Sequence, residues 1–579
     1  AATAPEIADF MTRNPDWPGQ ALLERRRQDA IALEPDHAIV MGQCGAGPLT
    51  LASTILRCAE ALANAGQQFE AADLARKVWV DVISDHGPES AFLKRWGGIL
   101  TADDQWDRFT RLAWRDPSAA TRQITRVPPS RHAEAEAWLA LKRDDPTAEA
   151  QFAALTAAQQ AEPGLVLDHL RFLRRADRLP DALALWQRAG TAAQAASGHA
   201  ADFWNERNLL ARKLLQVGDN AGAYALVAGH GEIGPEQMLD AEFLAGFIAL
   251  RRLNAPGTAA SHFQNLAAAS KAAITQARAY FWLGQAEAAA KQDPTASYRQ
   301  SAGWATTFYG QLAILALGED EAQLARRVNA MRDAPFTADM ALGFAGHEVV
   351  RAALWLVAWG EPRRAHSFLL RMDELAPTAG DRTLVADLAL QLGLPDTAVF
   401  VARRVGRDGS ALPQAGWPIP YTPPPPLDPA ISLGIMRQES SFDVGAVSPS
   451  GARGLMQLMP FTAQDVARRL SIKTSLVSLT ADPAHNMQLG TAYLQEMLDR
   501  FGGSLPLAIA AYNAGPHRVD EWLSQNGDPR TGQVPMLDWL ELIPIGETRN
   551  YVQRVLENIV IYRARRNEVT PTLLAQWAH

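Results

Sequence analysis

An all-α chain built from helical hairpins is what this sequence predicts. Ala, Leu, Arg, Gln and Glu fill its apolar-periodic stretches, long alternating β-branched runs are missing, and a helix–turn–helix unit recurs along it. Gly66 begins one turn, ahead of Phe69, Ala72, Leu74 and Ala75. Leu179-Pro180-Asp181 starts the next, before Leu183, Leu185 and Trp186. Gly218-Asp219-Asn220 precedes Ala223, Tyr224 and Val227, and Gly360-Glu361-Pro362 precedes Ala365, Phe368 and Leu369. Leu394-Pro395-Asp396 precedes Val399 and Val401. A single hairpin cannot bury its apolar face alone, whereas stacked neighbours bury a continuous core. The spacing is too uneven for a strict tetratricopeptide array, and a generic helical domain of antiparallel pairs accounts for the pattern nearly as well.

With 579 residues, 47% hydrophobic and 20% charged, the chain has material for two to four domains with ample cores, and it is not disordered. Its 41 Gly and 36 Pro show no triplet period, which excludes a collagen-like chain. The net charge is −8, and from Leu427 onward 13 Lys and Arg stand against 15 Asp and Glu. Neither part has the basic excess of a nucleic-acid binder. No apolar run reaches the ~18 residues that span a membrane, so no transmembrane segment is expected. The chain opens at Ala1 without Met, and an N-terminal segment is expected to have been removed. Cys44 and Cys58 form no zinc or redox motif, and their spacing favours two buried thiols over a disulfide.

The sharpest boundary is Gly416-Trp417-Pro418-Ile419-Pro420-Tyr421-Thr422 followed by four prolines, 423–426, which force an extended polyproline segment and exclude helix. Asp428-Pro429 then opens a helix, Asp as N-cap and Pro at the first position. Ile431, Ile435 and Met436 form an apolar face, and Glu439 falls on it. Burial there penalises the charged carboxylate and raises its pKa, to about 6 by analogy with other buried catalytic glutamates, as a general acid near neutrality requires. The other reading is a buried glutamate paired with an arginine or capping a neighbouring helix.

Further on lie a loop with Ser448, Gly451 and Gly454, the run Leu455-Met456-Gln457-Leu458-Met459-Pro460, a helix end at Ala511-Tyr512-Asn513-Ala514-Gly515, and Glu547-Thr548-Arg549-Asn550-Tyr551 opening the last long helix. Taken singly, Gln457, Tyr512 and Asn513 read as ordinary helix-end polar residues. Together with Glu439-Ser440, these blocks resemble, in order and spacing, the soluble lytic transglycosylases of Gram-negative bacteria. The resemblance is densest after Pro426 and extends upstream through Asn14–Pro18, Trp204–Asn208, Gly229-His230-Gly231 and Thr306–Gln311.

The resemblance implies a ring-like α-superhelix followed by a lysozyme-like catalytic domain. The corresponding division is 1–365 superhelical, 366–426 a helical linker ending in the Pro-rich segment, and 427–579 catalytic. The implied substrate is the peptidoglycan glycan strand, and the implied enzyme is a carbon–oxygen lyase. It would cut the β-1,4 bond between N-acetylmuramic acid and N-acetylglucosamine without net water addition, leaving 1,6-anhydromuramic ends. Glu439 would act first as acid, then as base on the C6 hydroxyl. The nucleophiles belong to the substrate, so the pair of carboxylates used by most glycosidases is not required. Ser448, Gln457 and Met459 would line the groove, Tyr512 and Asn513 hold the saccharide, Tyr551 orient Glu439, and Glu547 be structural or groove-lining. The implied location is the Gram-negative periplasm, soluble or peripheral to the wall, with other cell-wall enzymes as candidate partners. No cofactor or metal is expected, since His347-Glu348 lacks a second zincin histidine and no Cys/His cluster or Walker-type loop occurs. Two rivals are a lysozyme-type muramidase on the same fold and a non-catalytic helical-repeat scaffold.

Overall fold

A computed structural model of the chain describes residues 2–568 and 573–578. Among these, the regular structure is helical, and the β-type pairing consists of isolated bridges from Arg453 to Val447 and to Leu458. The all-α expectation holds. Turns fall where glycine permits them. Ala52–Asn64 and Gln68–Asp81 flank Gly66, and Glu348–Ala358 and Pro362–Leu375 flank Gly360. These glycines hold φ of +84° and +79°, backbone that a side chain disfavours. No single helix among the described residues is long and apolar enough to cross a membrane.

The chain packs as two compact units, 1–210 with 230–234, and 211–229 with 235–579. In the first, Trp79 stacks on Phe92 at 4.9 Å, and the Arg108 guanidinium lies 3.8 Å from the Trp79 ring centre. Arg108 is fully buried, so desolvation holds it down to about 10.

The expectation of two free thiols is corrected in this unit: Cys44 and Cys58 form a disulfide. Cys44 ends helix His37–Cys44, and Cys58 lies inside helix Ala52–Asn64. Packing of the two helices sets their Cα atoms 6.0 Å apart, within bridging distance. Sequence spacing carries no trace of that approach. Opening the bridge with reductant, or Cys44→Ser, is expected to destabilise this unit by about 2–4 kcal/mol. Thermal unfolding with and without reductant measures it, and an unchanged transition would contradict the assignment.

In the second unit, Val350, Leu369, Val385 and Val401 form a core beneath the hairpins that precede the Pro-rich segment. Residues 408–428 are not helical, as expected, but the proline run is not uniformly extended, its Pro425–Pro426 bond being cis. Nor does the segment hang free. Trp417 is buried and donates from Nε1 to Asn558 Oδ1 at 2.8 Å, with the Arg437 guanidinium 4.0 Å from its ring centre. Helices Ala273–Ala289 and Phe308–Ala316 meet helices Met536–Leu542 and Gly546–Arg565 through a buried polar cluster. There Arg278 and Tyr309 both reach the Glu541 carboxylate.

Candidate active site

Helix Pro429–Glu439 starts as its sequence dictates. The Asp428 carboxylate accepts from the Ala430 amide at 2.8 Å and from Arg563 Nε at 2.7 Å. Ala430 through Arg437 are all buried, so the helix is central rather than amphipathic. Gly434 lets helix Gly546–Arg565 approach; a Cβ there would come within 3.1 Å of Ile559 and 3.3 Å of the Val555 carbonyl.

The helix stops directly after Glu439. Ser440 Oγ donates to the Leu455 carbonyl at 2.8 Å and accepts from the Phe442 amide at 3.1 Å. Ser441 and Phe442 then take φ of +55° and +73°, left-handed backbone that non-glycine residues seldom adopt. Burial of Phe442 holds this reversal in place. The Glu439 carboxylate is thereby left at the helix end, half-buried, receiving the Tyr551 hydroxyl at 2.6 Å on Oε1.

Its electrostatics follow. Desolvation pushes Glu439 up to about 7; the Tyr551 hydrogen bond pulls it partly back, and the Glu547 charge pushes it further up. Burial, followed by the Glu439 charge, likewise drives the Tyr551 phenol well above its ordinary value, so it remains a donor. Arg437 points elsewhere, its Nε on the Gly416 carbonyl and Nη1 on Asn558. Asp443 lines the same cleft but is engaged by groups other than Glu439. It accepts from the Gly445 amide at 2.8 Å and lies 3.8 Å from Arg363.

Glu439, Ser448 and Gln457 share a cleft of about 690 Å3. Ser448 Oγ accepts from the Ala452 amide at 3.0 Å, tightening the loop. Gln457 has φ +46° and donates from Nε2 to the Ala446 and Gly454 carbonyls at 3.1 and 2.8 Å, which leaves Oε1 as the atom to face a ligand. Gly454 is obligatory, because a Cβ would fall 2.0 Å from the Leu479 carbonyl oxygen. Met459 stands on the surface, 43% exposed, as N-cap of helix Pro460–Arg469. Tyr512 and Asn513 are more tied down than expected. The Tyr512 hydroxyl donates to the Met456 carbonyl at 2.8 Å, and Asn513 Oδ1 accepts from Thr548 Oγ1 at 2.7 Å. Glu547 is exposed in the first turn of helix Gly546–Arg565.

Sequence reasoning missed two parts of the site. Buried Asn486 accepts from the Met456 amide and donates to the Arg453 and Leu479 carbonyls, holding the loop. The wall facing Glu439 includes Arg363, His366 and Tyr421, from the segment before the Pro-rich boundary or within it. Gly445 is the trace of that wall, since a Cβ there would fall 1.6 Å from Arg363 Nη2.

The family described as Transglycosylase SLT domain matches residues 424–534. Over 156 residues the chain is 38% identical to the soluble lytic murein transglycosylase of Escherichia coli K12, covering 27% of this chain and 23% of that protein. In this C-terminal part the chain is similar to the soluble lytic transglycosylases. A second relative, the putative soluble lytic murein transglycosylase of Haemophilus influenzae, is 36% identical over 145 residues, 25% of this chain and 24% of that protein. These alignments span about a quarter of the curated relatives. The fold likeness runs further. The lytic transglycosylase Slt of Pseudomonas aeruginosa, solved as an inactive mutant, superposes with a TM-score of 0.72 at 23% identity, over 99% of this chain and 90% of that one. The 70 kDa soluble lytic transglycosylase Slt70 of Escherichia coli gives 0.71 at 20% identity, over 98% and 90%. The fold is therefore the expected one, helical hairpins in a superhelix followed by a lysozyme-like helical unit.

Proposed function

We propose that the chain is a lytic transglycosylase of peptidoglycan with Glu439 as its one catalytic carboxylate. The observation that carries this reading is a carboxyl pushed up to about 7 and held by Tyr551 in a cleft whose other lining carboxylates are engaged elsewhere, Asp443 by the Gly445 amide and Asp396 by His366. A protonated Glu439 donates to the glycosidic oxygen between N-acetylmuramic acid and N-acetylglucosamine. The muramic N-acetyl carbonyl stabilises C1 from the other face. The Glu439 carboxylate then takes the proton of the C6 hydroxyl as that oxygen attacks C1. The C1–oxygen bond to the leaving sugar breaks, the 1,6-anhydro ring closes, and Glu439 ends protonated again. Ser448 and the Gln457 Oε1 face the N-acetyl group or sugar hydroxyls, and Met459 offers an apolar platform. Tyr512 and Asn513 shape the groove through the contacts that fix them, and Glu547 raises the carboxyl from its edge.

The Cys44–Cys58 disulfide fits an oxidising compartment and supports a periplasmic location, alongside other cell-wall enzymes. The division into 1–365, 366–426 and 427–579 is proposed as the covalent plan. Mass spectrometry of products from purified peptidoglycan tests the reaction. Anhydro ends, one water lighter than hydrolysed ends, are expected; reducing muramic ends alone would replace this reading with a lysozyme-type hydrolase.

The pH dependence follows from the same carboxyl. Glu439 is protonated below about 7, so cleavage is expected to fall as pH rises through that value. The Tyr551 hydroxyl favours the ionised form, and Tyr551→Phe is expected to move this alkaline limb to higher pH while lowering the plateau rate. A limb that stays in place or moves down in pH–rate profiles would show that the hydrogen bond does not set the titration.

A further inference from the structure

Behind helix Pro429–Glu439 lies a second cavity, of about 350 Å3, within the size range of small-ligand sites. Arg403, Arg407, Arg437 and Arg554 line it, and Glu557 is its one lining carboxylate. Arg403 also forms part of the wall of the Glu439 cleft.

A single lining carboxylate stands against four guanidinium groups. Glu557 is already committed, accepting from the Phe308 amide at 2.7 Å and standing 3.1 Å from Arg554. Even so, Arg554 Nη1 is buried without an aligned hydrogen bond. Arg403 Nη2 donates to the carbonyls of Arg437 and Gln438 at 2.7 and 3.4 Å, covering the negative end of the Glu439 helix. The carbonyl end of helix Pro395–Arg407 is closed by its own turn, where Val405 accepts from Asp408 and Ser410. Arg407 is exposed. Opposite, helix Ala273–Ala289 begins at Ala272 with no side-chain cap, and Ala272, Ala273 and Ile274 line the cavity. Its first amides add a positive end to the guanidinium groups. Few arrangements of protein groups are so one-sided unless an anion completes them, and guanidinium forks match phosphate and carboxylate oxygens.

We propose that this cavity is a binding site for a small oxyanion carrying at least two negative charges, of the phosphate or carboxylate class, distinct from the cleft holding Glu439. The proposal stands whether or not the chain cleaves peptidoglycan. Isothermal titration calorimetry of the full chain with inorganic pyrophosphate and, separately, with citrate at low ionic strength tests it. Saturable single-site binding of at least one probe is expected. Binding of pyrophosphate alone assigns the phosphate class, and of citrate alone the carboxylate class. Arg407→Glu and Arg554→Gln are each expected to weaken binding about ten-fold or more, through loss of a charge-assisted contact. Glu439→Gln should leave the affinity unchanged. Arg407 is exposed, so its variant keeps the test valid even where Arg554→Gln fails to fold. No saturable binding of either probe, or an affinity unchanged in Arg407→Glu, overturns the proposal.

Discussion

Glu439→Gln is expected to stop cleavage of peptidoglycan, by a factor of about 10²–10⁴ or more, while leaving a folded chain. Glutamine fills nearly the same volume and can still accept the Tyr551 hydroxyl at the helix end. It can neither give a proton to the leaving oxygen nor take one from the C6 hydroxyl. The same variant carries a second, independent signature in stability. Glu439 has an ordinary value of 4.5, its expected unfolded value, and about 7 in the folded chain. Between these values the folded state binds the extra proton, so its stability falls as pH rises, and above about 7 the whole cost of the buried charge is present. Glutamine bears no such cost. Glu439→Gln should therefore be more stable than the parent at pH 8, by on the order of 1–3 kcal/mol, and the difference should vanish below about pH 4.5. Denaturant titrations at the two pH values measure it. A variant active within a few-fold of the parent would remove Glu439 from the mechanism, whereas an inactive variant without the pH-dependent gain would keep the residue and discard its burial.

What the sequence revealed of this site was local, and what it concealed was brought from elsewhere in the chain. Asp428, Pro429 and the turn glycines act on their immediate neighbours, so composition and spacing sufficed to place the Glu439 helix and the hairpins. The apolar stripe of Ile431, Ile435 and Met436 placed the carboxyl correctly for an incomplete reason. The helix is buried almost all round, so no single face marks Glu439, and desolvation acts because the helix ends inside a cleft. Burial pushes the Glu439 carboxyl up to about 7, and Glu547, from a distant segment, adds its charge to that rise. Arg363, His366 and Asn486 were invisible for the same reason, since nothing near them in sequence shows that they face the 443–459 loop. Cys44 and Cys58 were misjudged because loop length was weighed where helix packing decides. For Tyr512, expected to hold the saccharide, the sequence did not show that its hydroxyl bonds the Met456 carbonyl, a partner that only the folded loop supplies.

Glu541→Ala is expected to destabilise the second unit by about 3–5 kcal/mol, far beyond an ordinary surface change. Glu541 is 1% exposed, and its carboxylate receives Arg278, the Tyr309 hydroxyl and, at 2.9 Å, Gln553 Nε2. Arg549 Nε stands 3.7 Å away, and the Glu541 backbone carbonyl accepts Arg212 at 2.9 Å. Removing the carboxylate leaves Arg278 and Arg549 as buried charges stripped of this partner, with a cavity between them. The consequence extends to the candidate site, because Arg549 lies two residues before Tyr551 on helix Gly546–Arg565 and fixes its first turn through the Ile543 carbonyl at 2.8 Å. Activity of the folded fraction is therefore expected to fall as well, through a Tyr551 less firmly held against Glu439. Glu541→Gln separates the two effects. It retains the volume and an acceptor for Tyr309 but not the charge, and should lose stability while preserving more of the rate per folded molecule. Urea denaturation gives the first quantity, and initial rates normalised to folded protein give the second. A loss below about 1 kcal/mol in Glu541→Ala would mean that the arginines find other partners, and that this cluster does not secure the helix on which Tyr551 rides.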